Sequence, residues 1–178
     1  MTVKHIATVL GMLLFLNCGN NNSETQNLNL EETEQEQKRI SAKAIEDFKY
    51  ADYTLSDDAE NEVRDWSKYQ ELATQFSFLK QADITFFTTE KDTLKVFLDS
   101  LKGSIPKNIN TNSVSARIVA LETKLLKLND DLTLENYAVE NKLESIKELL
   151  IANSNLIYII NKKLEFDKND VSRPEEEN

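Results

Sequence analysis

The chain has 178 residues, 40% hydrophobic and 29% charged, which is ordinary composition for one domain with a real core. Its 31 acidic and 21 basic residues leave a formal charge of -10, which argues against nucleic acid, whose phosphates are neutralised by Lys and Arg, and against electrostatic adsorption to anionic lipid. Three glycines and two prolines are too few for sheets, barrels or phosphate-cradling loops, which need glycine for turns and close backbone approach, so an all-α bundle is expected.

At the N-terminus, Lys4 supplies a minimal positive region and Ile6 to Leu16 an apolar run of about 11 residues, shorter than the roughly 20 needed to span a bilayer. The run ends in Phe15-Leu16-Asn17-Cys18-Gly19, which contains the chain's one cysteine. This ending resembles the lipobox of bacterial lipoproteins, with Phe15 where leucine is usual and Asn17 where a small residue is usual. The resemblance implies cleavage between Asn17 and Cys18, a diacylglycerol on the Cys18 thiol and an acyl group on its amine. Several acyl chains hold a protein to a membrane stably where one would bind marginally. The chain would then be lipid-anchored to the inner or outer membrane of a bacterial envelope. The residue-level alternative is a free thiol, and a lone cysteine is awkward in an exported protein.

Residues 1–17 are thus read as a signal peptide and 18–37 as a lipidated, disordered tether. From Gly19 to Gln37 only Leu28 and Leu30 are large and apolar, too little to order a chain. As a flexible coil of about 19 residues it would reach about 25 Å. A helical bundle domain is expected over 38–166, and a disordered acidic tail over 167–178.

Within the bundle, Ile40, Ala44, Phe48 and Ala51 predict a first helix over Lys38 to Tyr53. Ser56 or Asp57 caps a second over Asp58 to Ala82, with Val63, Trp66, Tyr69, Leu72, Ala73, Phe76 and Leu79 along one side and Asp58 and Glu60 suiting its dipole. Asp52, Asp57 and Asp58 lack the spacing and glycine of a calcium loop. Thr88-Thr89 should cap a third helix carrying Leu94, Phe97, Leu98 and Leu101. Gly103 should stop that helix in the left-handed conformation, with Pro106 beyond. Ser104 to Asn112 is then the longest internal loop. Asn112 or Ser113 caps a fourth helix with Val114, Ile118, Leu121, Leu125 and Leu128 in four-three spacing, ended by Asn129-Asp130-Asp131.

The longest element runs from Thr133, as cap, to Leu164. Val139, Leu143, Ile146, Leu150, Ile157, Ile160 and Leu164 form its seam, Leu149, Leu156 and Ile159 widen it, and Asn153 fills one seam position. The short connection makes the fourth helix antiparallel to it, and the fourth is too short to cover it. The second helix or a partner chain must cover the rest. Asn153 either fixes pairing with another protomer or sits at a loose edge near water. The expected fold is an all-α bundle of about five helices with a long C-terminal antiparallel helical hairpin.

Cleavage at Cys18 would remove His5, the chain's one histidine, and with it zinc sites, histidine triads and carboxylate-histidine iron sites. Glu135, Glu140, Glu144 and Glu148 beside Lys142 and Lys147 read as a solvated face rather than a paired-carboxylate site. The expected role is non-catalytic, with no cofactor and no metal: binding or scaffolding an envelope protein, with a homodimer along the last helix as one form of it. The alternatives are an inhibitor or immunity-type lipoprotein that blocks a basic partner, and a carrier of an apolar ligand in an aromatic-lined pocket.

Overall fold

A computed structural model describes residues 39–171. The expected signal peptide with Asn17 and Cys18, the expected tether and residues 172–178 lie outside the described residues. Among the described residues there are six α-helices and no strand: α1 (Ala42–Glu46), α2 (Asp57–Val63), α3 (Ser67–Lys80), α4 (Lys91–Gly103), α5 (Asn112–Thr133) and α6 (Val139–Val171). The all-α bundle and its C-terminal antiparallel hairpin are therefore present, with different boundaries in the first half.

The expected first helix reduces to α1. Ser41 caps it, its hydroxyl accepting from the Ala44 N–H at 3.2 Å, and Ile45 rather than the flanking periodic positions is buried. After a bend at Tyr50, residues 51–56 have no regular secondary structure and reach Ser56 in an extended conformation, and their backbone is captured by side chains of α6, which replace the bonds a helix would have made.

Ser56 caps α2, accepting from the Ala59 N–H at 3.3 Å, with Asp57, Asp58 and Glu60 in the first turn. The single second helix expected over Asp58 to Ala82 is broken at Trp66. The Trp66 indole Nε1–H reaches across to the Leu101 carbonyl (3.3 Å) and the Ser104 hydroxyl (3.1 Å) at the end of α4. The indole donor is thus satisfied at the end of another helix, where the Leu101 carbonyl also accepts from the Ser104 N–H. At the break the Val63 carbonyl accepts from the Trp66 N–H at 3.1 Å and from Gln70 Nε2 at 2.8 Å.

Helix α3 buries Tyr69, Leu72, Phe76 and Leu79. It ends with Ala82 at a φ of 65°, where the Asp83 N–H bonds to Phe78 O and the Ala82 N–H to Leu79 O, a Schellman closure in which glycine is the usual residue. Conversely, Gly103 has no positive φ and is the last residue of α4, so the left-handed stop sits at Ala82 rather than Gly103. Glu90, not Thr88 or Thr89, occupies the cap position of α4, because Phe86 to Thr88 form a 3-10 turn that buries Phe87. Phe86 meets Phe87 and Phe97 edge-on, each at 5.2 Å.

The expected loop from Ser104 to Asn112 contains a second 3-10 turn, Lys107–Ile109, with Ile109 fully buried. It is an anchored connection. Thr111 caps α5, accepting from the Val114 N–H at 3.3 Å, and Val114, Ile118, Leu121, Leu125 and Leu128 are all fully buried as the spacing predicts. The helix does not end at Asn129-Asp130-Asp131. The Asn129 amide instead donates to the carbonyls of Phe87 and Thr89, both at 2.9 Å, holding the 3-10 turn. Thr133 is the last residue of α5 rather than the cap of α6.

Helix α6 has 33 residues, about 50 Å at 1.5 Å per residue. It continues through residues 167–171, which the sequence places in a disordered tail. Its buried stripe is centred on Ile146, Leu149, Leu156 and Ile160, with Leu150 beside it and Ile157 only half-buried. The stripe is rotated from the predicted seam because α6 is covered on two sides, by α5 and by residues 50–58.

Candidate binding groove beside the extended segment

The part of α6 beyond the reach of α5 is covered by this chain's own N-terminal segment. The Tyr53 N–H donates to the Ser154 hydroxyl at 2.9 Å, and that hydroxyl donates to the Ala51 carbonyl. One level along, the Ser56 N–H donates to Asn161 Oδ1 at 3.0 Å, and Asn161 Nδ2 donates to the Thr54 carbonyl at 2.8 Å. Lys168 and Asp58 close the row with an ion pair at 3.1 Å.

The geometry explains the spacing. Ser154 and Asn161 are seven residues apart, about 10.5 Å along a helix. Their partners move from 51 and 53 to 54 and 56, three residues, about 9 Å in a polyproline II chain that presents the same side every third residue. Helix and segment run parallel in matching register. Ser154 is 2% exposed, and its burial is accounted for by these two bonds.

A groove lies between this segment, α3 and α6. Its middle part has a volume of about 470 Å³ and is lined by residues 52–55, by Tyr69, Ala73 and Phe76 of α3, and by Asn153 and Ile157 of α6. Asp52 and Lys80 also line an adjoining cleft of about 410 Å³ with Ile45, Phe48 and Tyr50. Leu55, Glu60 and Gln70 also line a third, of about 390 Å³, with Val63 and Arg64. Volumes of this order suit small ligands or single peptide side chains.

Across the groove, Lys80 Nζ meets Asp52 Oδ2 at 2.7 Å. Burial would push the Lys80 ammonium down, but Asp52 and Tyr50 outweigh it and hold the group above its ordinary value. Burial pushes the Tyr50 phenol up, with Lys80 opposing and Asp52 assisting. Both groups stay protonated near neutrality, so neither is a base. They hold the segment to α3. On the outer surface Tyr53 and Tyr158 face each other at 4.9 Å, both substantially exposed, with Lys162 Nζ 6.0 Å from the Tyr158 ring and Phe166 one turn beyond and 64% exposed.

The hairpin holds a second polar constellation. Lys127 donates to the Ser145 hydroxyl, which donates to Asp131, and Glu148 pairs with Lys127 at 3.2 Å and Lys124 at 3.3 Å. A serine beside a lysine invites a nucleophilic reading. Two observations oppose it: Ser145 is 1% exposed, beyond the reach of a substrate, and Asp131 and Glu148 keep the Lys127 ammonium above its ordinary value despite the opposing effect of burial. The cluster locks α5 to α6. Burial would push the Glu148 carboxyl up, but Lys127 and Lys124 outweigh it and hold it below the ordinary carboxylate value.

Of the residues singled out in the sequence, Asn153 lies half-exposed on the groove wall, the edge position near water. Glu135, Glu140 and Glu144 are exposed, and Glu148 is drawn into the lysine pairs. Asp52 and Asp58 take up separate ion pairs, and among the described residues no group of His, Cys, Asp and Glu is placed to hold a metal ion. Trp66, Tyr69, Phe76, Phe87 and Phe97 are core. Sequence reasoning missed Ser154, Asn161 and Lys80. The available signal was the seven-residue interval between Ser154 and Asn161, which puts two polar side chains on one line of an apolar helix. Among the described residues no helix is long and apolar enough to cross a membrane. No family model matches the chain, and neither the curated proteins nor the solved structures give a match.

Proposed function

We propose that this chain is an exported, lipid-anchored binding module that holds an envelope protein through the groove beside residues 50–56. The observation that carries the reading is the groove itself, whose walls are two helices and a segment pinned to one of them by four hydrogen bonds. Recognition surfaces work best on parts that need little ordering on binding. The exposed Tyr53, Tyr158 and Phe166 flank it and supply the aromatic contact area that interfaces favour. Cys18, by its lipobox-like setting, supplies the anchor.

Two experiments test the two halves. Labelled palmitate should enter the wild type and not Cys18→Ala, and wild type should fractionate with membranes; label in the alanine variant, or none in wild type, refutes the anchor. A photo-crosslinking side chain at Ala73 in the intact cell should trap one envelope protein in preference to the same group at exposed Val119, and equal trapping refutes the groove. A second reading, an inhibitor that covers a basic enzyme, is favoured by residues 52–65, which carry six acidic side chains against Arg64. Raised salt should dissolve that complex and spare a scaffold.

A further inference from the structure

We propose that the occupant of the groove is an extended peptide segment with basic side chains, paired to the backbone of residues 52–55; this rests on the partner-binding reading above. Four observations converge on that chemistry. From Gln70 to Lys80 the α3 wall runs about 15 Å, room for about five extended residues. The α6 side chains take the Ala51 and Thr54 carbonyls and the Tyr53 and Ser56 N–H groups. The N–H and carbonyl groups of Asp52 and Leu55 have no hydrogen-bond partner among the described residues. These two residues, three apart, each offer one N–H donor and one carbonyl acceptor to the backbone of a peptide laid along the groove.

The groove also sorts side chains. Ala73, Phe76 and Ile157 make an apolar wall for one side of an extended chain. Charge sets the other side. Glu60 lines two of the three clefts and has no ion-pair partner among the described residues, whereas Lys80 is already engaged with Asp52. An acidic segment would meet uncompensated like charge from residues 52–65, and a basic one would neutralise it.

The test uses the full chain, purified in detergent and isotope-labelled, with an acetylated and amidated six-residue peptide of alternating lysine and valine. Amide signals of residues 52–55 and 70–77 should shift and saturate. Glu60→Gln, on an exposed turn, should weaken binding about three- to fivefold, as for one exposed ion pair. Ala73→Leu, checked for helicity by circular dichroism, should abolish it by filling the wall. Methylating alternate peptide nitrogens should abolish it too. Equal binding by the methylated peptide or by a glutamate-for-lysine peptide overturns the proposal, as does an absence of shifts at 52–55. Selective crosslinking at Ala73 in cells together with no peptide binding overturns the peptide chemistry and leaves the partner-binding reading standing.

Discussion

Replacing Ser154 by alanine tests whether the extended segment is held as described. The hydroxyl serves two backbone groups, the Tyr53 N–H at 2.9 Å and the Ala51 carbonyl, and each bond contributes about 0.5–1.5 kcal/mol net. Residues 51 and 53 are exposed, so water can re-solvate both groups and the loss falls near the lower half of the range, about 1.5 kcal/mol for the pair. Alanine returns about 0.5 kcal/mol through its better helix propensity, leaving a net destabilisation of about 1 kcal/mol. In the folded ensemble the full 1.5 kcal/mol acts on local release of the segment, because the propensity gain is the same with the segment on or off. That corresponds to roughly tenfold faster hydrogen exchange at the Ser56 amide, whose acceptor on Asn161 is kept, and at least as much at the Tyr53 amide, whose acceptor is gone. Residue-resolved exchange by NMR should show the acceleration at Tyr53 and Ser56 and not at Leu121 in the buried stripe of α5. Asn155→Ala, at the exposed position next to Ser154, is the control. Unchanged exchange at Tyr53, or acceleration of Leu121 by the same factor, would refute the pinned segment.

Three further outcomes follow from the geometry. Ala82→Gly relieves a left-handed residue that costs about 1–2 kcal/mol, less the added freedom of glycine in the unfolded chain. Stability should rise by about 0.5–1 kcal/mol and the melting temperature by about 2–4 °C in calorimetry; a fall would contradict the Schellman closure. Asn129→Ala orphans the buried Phe87 carbonyl and drops a second bond to Thr89, for a loss of about 2–3 kcal/mol in urea unfolding, and a loss below about 0.5 kcal/mol would show that the amide is not the anchor of the 3-10 turn. Glu148 is held below its ordinary value, so its contribution is present above about pH 4.5 and fades as pH falls through the folded-state value. Glu148→Gln should therefore lose less stability than wild type between about pH 6 and 3, and parallel curves would sink the assignment to Lys127 and Lys124.

The second half of the domain was legible in the sequence because its bonds are local. The unbroken spacing of Val114 to Leu128 and the short connection each act within a few residues, and nothing distant overrides them; the cap itself fell at Thr111 rather than at Asn112 or Ser113. The first half was not, because its conformation is decided about 100 residues away. Helical periodicity at Ile40 to Ala51 competes with Ser154 and Asn161 for the same backbone groups, and those partners lie 101 to 107 positions along the chain. The break at Trp66 has the same origin, an indole that finds its acceptors on α4. The groove was hidden with them, since one of its walls is the segment that was expected to be a helix. Its acidity could be read in advance, and so could the half-exposed edge position of Asn153.

The row of contacts from Ala51 to Asp58 along α6 ties an early part of the described residues to nearly the last of them. A chain emerging from a ribosome or a translocon presents the first of these long before the second exists, so the α5–α6 hairpin, whose contacts are near neighbours in sequence, completes first and the N-terminal segment closes last. During that interval the groove has one wall missing. All of its walls stand together only once the C-terminal helix has been made.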